Sequence, residues 1–121
     1  MKREETTVSG LIKIIDSGKG KEIKLRIWQI GQLFGVYQST VTANIRAIIK
    51  SDVIIPNYNC PLVQTGKKLL PEIYDLGMII ALAFRFHTVE ACEFRKWIIG
   101  KVIHKKNNMA VTLGLNNFQL N

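Results

Sequence analysis

The spacing of apolar positions along this chain changes once, near Trp28. Residues 23–27 alternate strictly between apolar and charged side chains, which is typical of a strand with one buried face. From Ile30 onward the apolar positions recur three and four apart, at Leu33 and Phe34, which is the spacing of a helix. The pattern therefore predicts a strand that leads directly into a helix.

A glycine divides the helical pattern in two. Gly35 stands where the first helix has to end, and glycine makes a sharp turn there without a steric penalty. Val41 and Ile45 then repeat four apart, and Gly31 offers a bare surface on which a second helix can cross closely. Residues 27–45 are therefore predicted to form a helix-turn-helix, whose second helix would enter the DNA major groove.

The segment before this motif is predicted to form an N-terminal β-hairpin. Residues 11–15 are apolar with Lys13 interposed, and a turn-rich linker at 16–22 joins them to the alternating strand at 23–27. The basic tip of this hairpin is either a solvated loop or a contact with the DNA backbone.

The second half of the chain is predicted to contain a short extended pair and two helices. The extended segments are residues 62–64 and 69–74, which flank a basic turn, and Pro71 restricts them to a sheet edge. Asp75 is expected to cap a buried helix over 76–84.

Thr88 is expected to cap a last helix that reaches about Lys105. The predicted fold class is thus α+β: an N-terminal β-hairpin, a helix-turn-helix, a short extended pair and two C-terminal helices. The chain of 121 residues suits a single domain over 1–121, with a core at about 11–106 and a tail at 107–121.

The composition of the chain narrows the class of binding partner to be expected. The formal net charge is +8, which favours a polyanion, with nucleic acid first and an anionic membrane second; a basic protein without such a partner is the alternative. No apolar run approaches the about 20 residues of a membrane helix, and the charged N-terminus leads into no signal-peptide core. We therefore expect a cytoplasmic protein with no membrane partner.

The sequence offers little for catalysis. Cys60 and Cys92 lack metal-type spacing, and His87 and His104 have no carboxylate cluster at ligand spacing. We expect no enzyme activity, no cofactor and no metal. Among the cations, Arg95 either pairs internally with Asp75 or Glu72 or contacts phosphate.

The last helix ends in lysines with no nearby acid after Glu93, which either attract DNA or form a solvated helix end. These are Lys96, Lys101, Lys105 and Lys106.

The candidate site consists of side chains that the apolar pattern leaves on the outer face of the second helix of the motif. The predicted base-reading residues are Gln38, Ser39, Thr42 and Ala43, and the predicted phosphate-binding residues are Tyr37, Asn44, Arg46 and Lys50. One short recognition helix makes few contacts, so we expect a homodimer on two half-sites of double-stranded DNA. Two alternatives stay open: an antirepressor-like module that binds a protein partner, and a helix-turn-helix kept only as scaffold.

Two resemblances support this interpretation. The run Gly35–Ser39 is similar to the turn and recognition-helix start of lambdoid phage Cro repressors. The run Trp-Gln-Ile-Gly-Gln-Leu-Phe-Gly-Val at 28–36 resembles a motif of the RhuM-like proteins of phages and genomic islands, and residues 72–80 and Phe94–Trp97 resemble later motifs of that family, in order over about 11–103. The Phe-Arg-x-Trp element also occurs in phage antirepressor domains. The resemblance implies a DNA-binding or regulatory protein of a mobile element.

Overall fold

The computed structural model describes residues 5–54, 56, 60–65 and 68–112, and it shows a mixed α+β fold. Its helices are α1 Val8–Asp16, α2 Ile27–Phe34, α3 Gln38–Lys50, α4 Leu76–Ala83 and α5 Val89–Thr112, with a short 3-10 helix at Gly20–Glu22. Its strands are β1 Lys24–Arg26, β2 Leu62–Thr65, β3 Lys68–Pro71 and β4 Ile73–Asp75.

The predicted N-terminal hairpin is wrong, because residues 11–15 lie inside α1. The Thr7 side chain caps this helix by accepting a hydrogen bond from the Gly10 backbone N–H. Val8 and Leu11 are buried three residues apart, which is helical spacing. Because the polar Lys13 stands between apolar residues, this short segment resembled an alternating strand.

The strand predicted at 23–27 exists as β1, but its partner is β4. The two strands are antiparallel, with Lys24 opposite Asp75, Leu25 opposite Tyr74 and Arg26 opposite Ile73. The chain therefore closes this small sheet across some fifty residues of sequence, after it has built α2 and α3.

The extended pair that follows α3 is confirmed as the antiparallel hairpin β2–β3. Leu62 pairs with Pro71 and Val63 with Leu70. Of the predicted basic turn at 65–68, residues 66–67 lie outside the described residues. Only Glu72 separates β3 from β4, and its backbone N–H donates to Pro61 at 2.9 Å. One extended stretch thus pairs first with β2 and then with β1.

The two helices hinged at Gly35 are confirmed. Gly35 has φ 67°, in the left-handed region that favours glycine, and α3 starts three residues later. The Val36 backbone N–H donates to the Gly31 carbonyl at 3.0 Å, which closes the turn against α2. A Cβ atom at Gly31 would lie 2.8 Å from the Val36 carbonyl oxygen, so α2 and its turn pack more closely than an alanine allows.

Replacing Gly31 by alanine is therefore expected to lower the free energy of unfolding by about 1–2 kcal/mol, although alanine is the better helix former. Urea denaturation of the full chain measures this change. Gly77→Ala in α4 is the control, since its Cβ would meet neighbours no closer than 3.5 Å. An unfolding midpoint of Gly31→Ala equal to that of the wild type would contradict the close packing.

Both C-terminal helices are confirmed, with the predicted caps. The Asp75 side chain accepts from the Met78 backbone N–H at the start of α4, and the Thr88 hydroxyl accepts from Ala91 at 3.2 Å. The last helix continues to Thr112, beyond its predicted end near Lys105, so the predicted tail is helical in its first part. Residues 113–121 lie outside the described range.

The core brings α2, α4 and α5 together around an aromatic cluster. The Phe34 ring centroid lies 5.6 Å from that of Phe86 and 6.2 Å from that of Phe94, and Phe94 stacks on Trp97 at 6.0 Å. Because Phe34 is the last residue of α2, this cluster fixes the position at which the α2–α3 turn begins.

Candidate nucleic-acid interface

The outer face of α3 carries a row of small and basic residues. Val41, Ile45 and Ile48 are buried on the inner face. Four residues, spaced four, three and four positions apart, lie on the opposite side of the helix. We call them the α3 stripe: Ser39, Ala43, Arg46 and Lys50. Ser39, Ala43 and Lys50 are exposed, whereas Arg46 is partly buried. The stripe is therefore small at its start and basic at its end.

The start of α3 is open to solvent. Tyr37, the residue that precedes α3, is 84% exposed, and Gln38 is exposed beside it. These two residues and Ser39 border a shallow surface depression with Trp28 and Gln32 of α2. Three of the predicted site residues thus lie together on one accessible surface.

Thr42 does not belong to that surface, so the prediction that it is exposed is wrong. Its side chain is 7% exposed and lines a cleft between α3 and Val63 of β2. Thr42 lies one helical turn from Ile45 on the inner side of α3, so the helix turns it toward the hairpin. The predicted base-reading role of Thr42 is therefore not supported.

Asn44 also points elsewhere than predicted. Its side-chain N–H donates to the Thr40 carbonyl at 2.8 Å, and its Oδ1 accepts from Arg85 Nε at 2.8 Å. Both ends of the amide are therefore engaged by the protein, and the predicted phosphate contact is not supported.

Arg85 is a candidate site residue that the sequence analysis missed. It follows α4, its side chain is exposed, and Asn44 holds it beside α3 across a separation of 41 residues. Nothing in the local sequence indicates this contact, because it arises only when α4 packs against α3. Arg85 adds a cation to a surface that has few.

One ion pair sits beside the start of α3. Arg26 and Glu72 pair at the mouth of the cleft that also contains Gln38 and Trp28. Residues 27–51 include no Asp or Glu, so the two helices carry no negative side chain of their own. Two acids from elsewhere in the described fold lie next to them. Glu72 pairs with Arg26, which offsets its charge, and Glu90 of α5 has its carboxylate beside Gly35.

Arg95 makes contacts inside the protein. Arg95 donates through Nη1 to the carbonyl oxygens of Ala83 and Phe86, at 2.7 and 2.6 Å. It therefore stabilises the C-terminal end of α4 and the turn that follows, which is an internal role, but the predicted carboxylate partners Asp75 and Glu72 are wrong.

The expectation that the C-terminal lysines have no nearby acid is wrong for Lys101. Its Nζ lies 3.1 Å from Asp16 of α1 and 5.7 Å from the centroid of the Trp97 ring. This lysine ties α5 to α1. Lys96 is exposed, whereas the side chains of Lys105 and Lys106 are not described.

The described residues form neither a metal site nor a membrane-spanning helix. Within residues 5–54, 56, 60–65 and 68–112, no three His, Cys, Asp or Glu side chains lie close enough together to hold a metal ion. None of the helices in these same ranges combines the length and the apolar character needed to cross a bilayer. Comparison with protein-family models, with curated proteins and with solved structures finds no match for this chain.

Proposed function

We propose that this chain is a DNA-binding regulatory protein of phage or mobile-element type. In this proposal α2, the turn at Gly35 and α3 act as a helix-turn-helix, with α3 in the major groove. The observation that carries it is the α3 stripe, which is accessible at its start, basic at its end and free of acidic side chains. The resemblance to RhuM-like proteins over about 11–103 supports the same class.

The position of each residue on the α3 surface suggests which part of the DNA it would contact. Gln38 and Ser39 can hydrogen-bond to base edges, and the small Ala43 allows α3 to lie deep in the groove. Lys50 and Arg46, at the far end of the stripe, would pair with phosphates, as would Arg85 beside them. Tyr37 would contact the sugar–phosphate edge at the start of the helix.

The β2–β3 hairpin extends the proposed interface. It adjoins α3 at the cleft that Val63 and Thr42 share, so DNA bound along α3 would pass close to this strand pair. The proposal includes a homodimer on two half-sites, a cytoplasmic location and no catalysis or cofactor.

The salt dependence of binding to a random-sequence duplex tests this function. We expect affinity at low salt that falls linearly in log–log form as salt rises, because lysine and arginine contacts release counterions. Lys50→Gln is expected to reduce the slope by about one per bound chain and to weaken all duplexes about equally. Fluorescence anisotropy with a labelled duplex measures both effects.

The control variant is Lys21→Gln, an exposed lysine of the 3-10 helix that removes the same charge away from α3. Its slope should match that of the wild type. Equal slopes for both variants would move the DNA contact away from α3.

A protein-interaction module is the second candidate function. It is favoured by large apolar side chains that the fold leaves exposed outside the α3 stripe, such as Val53 and Val89. Such a module would show no salt-sensitive affinity for duplex DNA, so the same titration separates the two candidates.

A further inference from the structure

Arg85 is an exposed arginine whose backbone is held by several contacts. It lies in the turn between α4 and α5, and its backbone N–H donates to the Leu82 carbonyl at 2.9 Å. The next residue, Phe86, is 3% exposed and packs against the core aromatic rings. Arg95 braces the same turn from α5, because its Nη1 donates to the carbonyl oxygens of Ala83 and Phe86. The turn therefore presents the Arg85 side chain from a fixed position.

The Arg85 side chain is in turn oriented by an amide of α3. Its Nε donates to Asn44 Oδ1 at 2.8 Å, and Asn44 Nδ2 donates to the Thr40 carbonyl at 2.8 Å. Because a carbonyl can only accept, Thr40 fixes which way round the amide lies and leaves its oxygen toward Arg85. The bond to Asn44 uses one of five guanidinium N–H groups, so the four on the two Nη atoms can bind another acceptor.

Asn44 orients this arginine without cancelling its charge. An amide is neutral, whereas a carboxylate in the same place would form an ion pair. The two segments that meet here, residues 27–51 and 76–89, contain no Asp or Glu. Arg85 forms no ion pair within the described part of the chain. The fold therefore holds a positive charge beside α3 with its outer nitrogens directed away from the bond to Asn44.

A cation held in this way suits a phosphate group. Binding by a flexible arginine costs the entropy of ordering its long side chain, and Asn44 removes part of this cost before the ligand arrives. The planar guanidinium can then offer both Nη atoms to two phosphate oxygens at once. The same hydrogen bond also joins the turn after α4 to α3, and a purely structural role for it predicts different results for DNA binding.

We infer that Asn44 is a positioning residue for DNA binding, which holds Arg85 so that its guanidinium binds a backbone phosphate beside the groove that α3 enters. The inference rests on the proposed function, and it adds a phosphate-binding element that lies outside α3 and is formed before DNA arrives. Asn44 acts through Arg85 and not on DNA itself, since both ends of its amide are engaged by the protein. Its contribution to affinity therefore exists only while residue 85 is an arginine.

A double-mutant cycle on duplex affinity tests this coupling, with the full chain and fluorescence anisotropy at several salt concentrations. Arg85→Gln should weaken binding about tenfold or more at low salt and reduce the salt slope by about one, because one phosphate contact is lost. Asn44→Ala should weaken binding about two- to tenfold with an unchanged slope, since the cation remains but is no longer oriented. Combined with Arg85→Gln, Asn44→Ala should have no further effect.

Arg85→Lys separates the orientation of the side chain from its charge. Lysine keeps the positive charge but has no Nε–H for Asn44 to accept, so the slope should match that of the wild type while affinity falls to about that of Asn44→Ala. Lys21→Gln is again the control for charge alone, with the wild-type slope expected. Thermal unfolding of each variant gives its folded fraction, so that a loss of stability is not taken for a loss of affinity.

The inference would be overturned if the effects of Asn44→Ala and Arg85→Gln on affinity were additive, since Asn44 would then not act through Arg85. It would also be overturned if Lys50→Gln reduced the salt slope and Arg85→Gln did not. DNA would then bind along α3 without this turn, and the proposed function would stand. A wild type with no salt-sensitive affinity for duplex DNA would overturn the proposed function and the inference together.

Discussion

Replacing Ala43 by glutamate is expected to weaken DNA binding at least about a hundredfold and to leave the fold intact. Ala43 is exposed near the middle of the α3 stripe, between Ser39 and Arg46. A longer side chain there holds α3 away from the groove floor, and its carboxylate repels the phosphates on both sides. Glutamate is a good helix former, so the free energy of unfolding should change by about 0.5 kcal/mol or less.

Fluorescence anisotropy at low salt measures the loss, and thermal unfolding checks the fold. Ile14→Glu is the matched control, because it adds the same charge at an exposed position of α1, which packs against α5. That variant should lose only the small affinity expected from a less positive net charge. If Ala43→Glu bound as tightly as Ile14→Glu, α3 would not be the surface that meets DNA.

The parts of the fold that local sequence determines could be predicted from it. The helix pair at Gly35 follows from apolar spacing and one left-handed glycine, both of which act over a few residues. The caps at Asp75 and Thr88 could also be predicted, because each side chain accepts a hydrogen bond from a backbone N–H only three residues ahead.

The N-terminal hairpin was predicted wrongly because short-range sequence patterns could not distinguish a strand from a helix there. Five residues with one lysine fit both an alternating strand and a helix, and the Thr7 cap that distinguishes them lies just before the pattern. The true partner of β1 comes from residues 73–75, and only the packing of α2 and α3 brings that segment alongside. Long-range pairing of this kind has no signal in a single sequence.

Part of the candidate site could likewise be predicted from the sequence, and part could not. A helical wheel fixes the direction of each α3 side chain, and it identified Gln38, Ser39 and Ala43 as exposed. It could not show that a hairpin covers Thr42, or that Asn44 binds an arginine from after α4. Both corrections come from elements far along the chain, so the surface opposite the core can be assigned only once its neighbours are placed.

Replacing Phe34 by alanine should lower the free energy of unfolding by about 3–5 kcal/mol. The side chain is completely buried between Phe86 and Phe94, so its removal leaves a cavity where α2 meets α5. Domains of this size have a total stability of about 5–15 kcal/mol, so the variant would lie close to its unfolding transition. Chemical denaturation followed by far-ultraviolet circular dichroism measures the change.

Phe84→Ala is the matched control, since it removes the same side chain where 51% of it is already exposed. We expect that substitution to cost less than about 1 kcal/mol. Phe34 lies on α2 and not on the α3 stripe, so its loss should reduce DNA binding only through the unfolded fraction of the protein. Affinity should then recover wherever the variant is folded, for example on moderate cooling, whereas Ala43→Glu should bind weakly at every temperature. Equal costs for the two phenylalanine variants would mean that the buried aromatic cluster stabilises the fold no more than an exposed phenylalanine does.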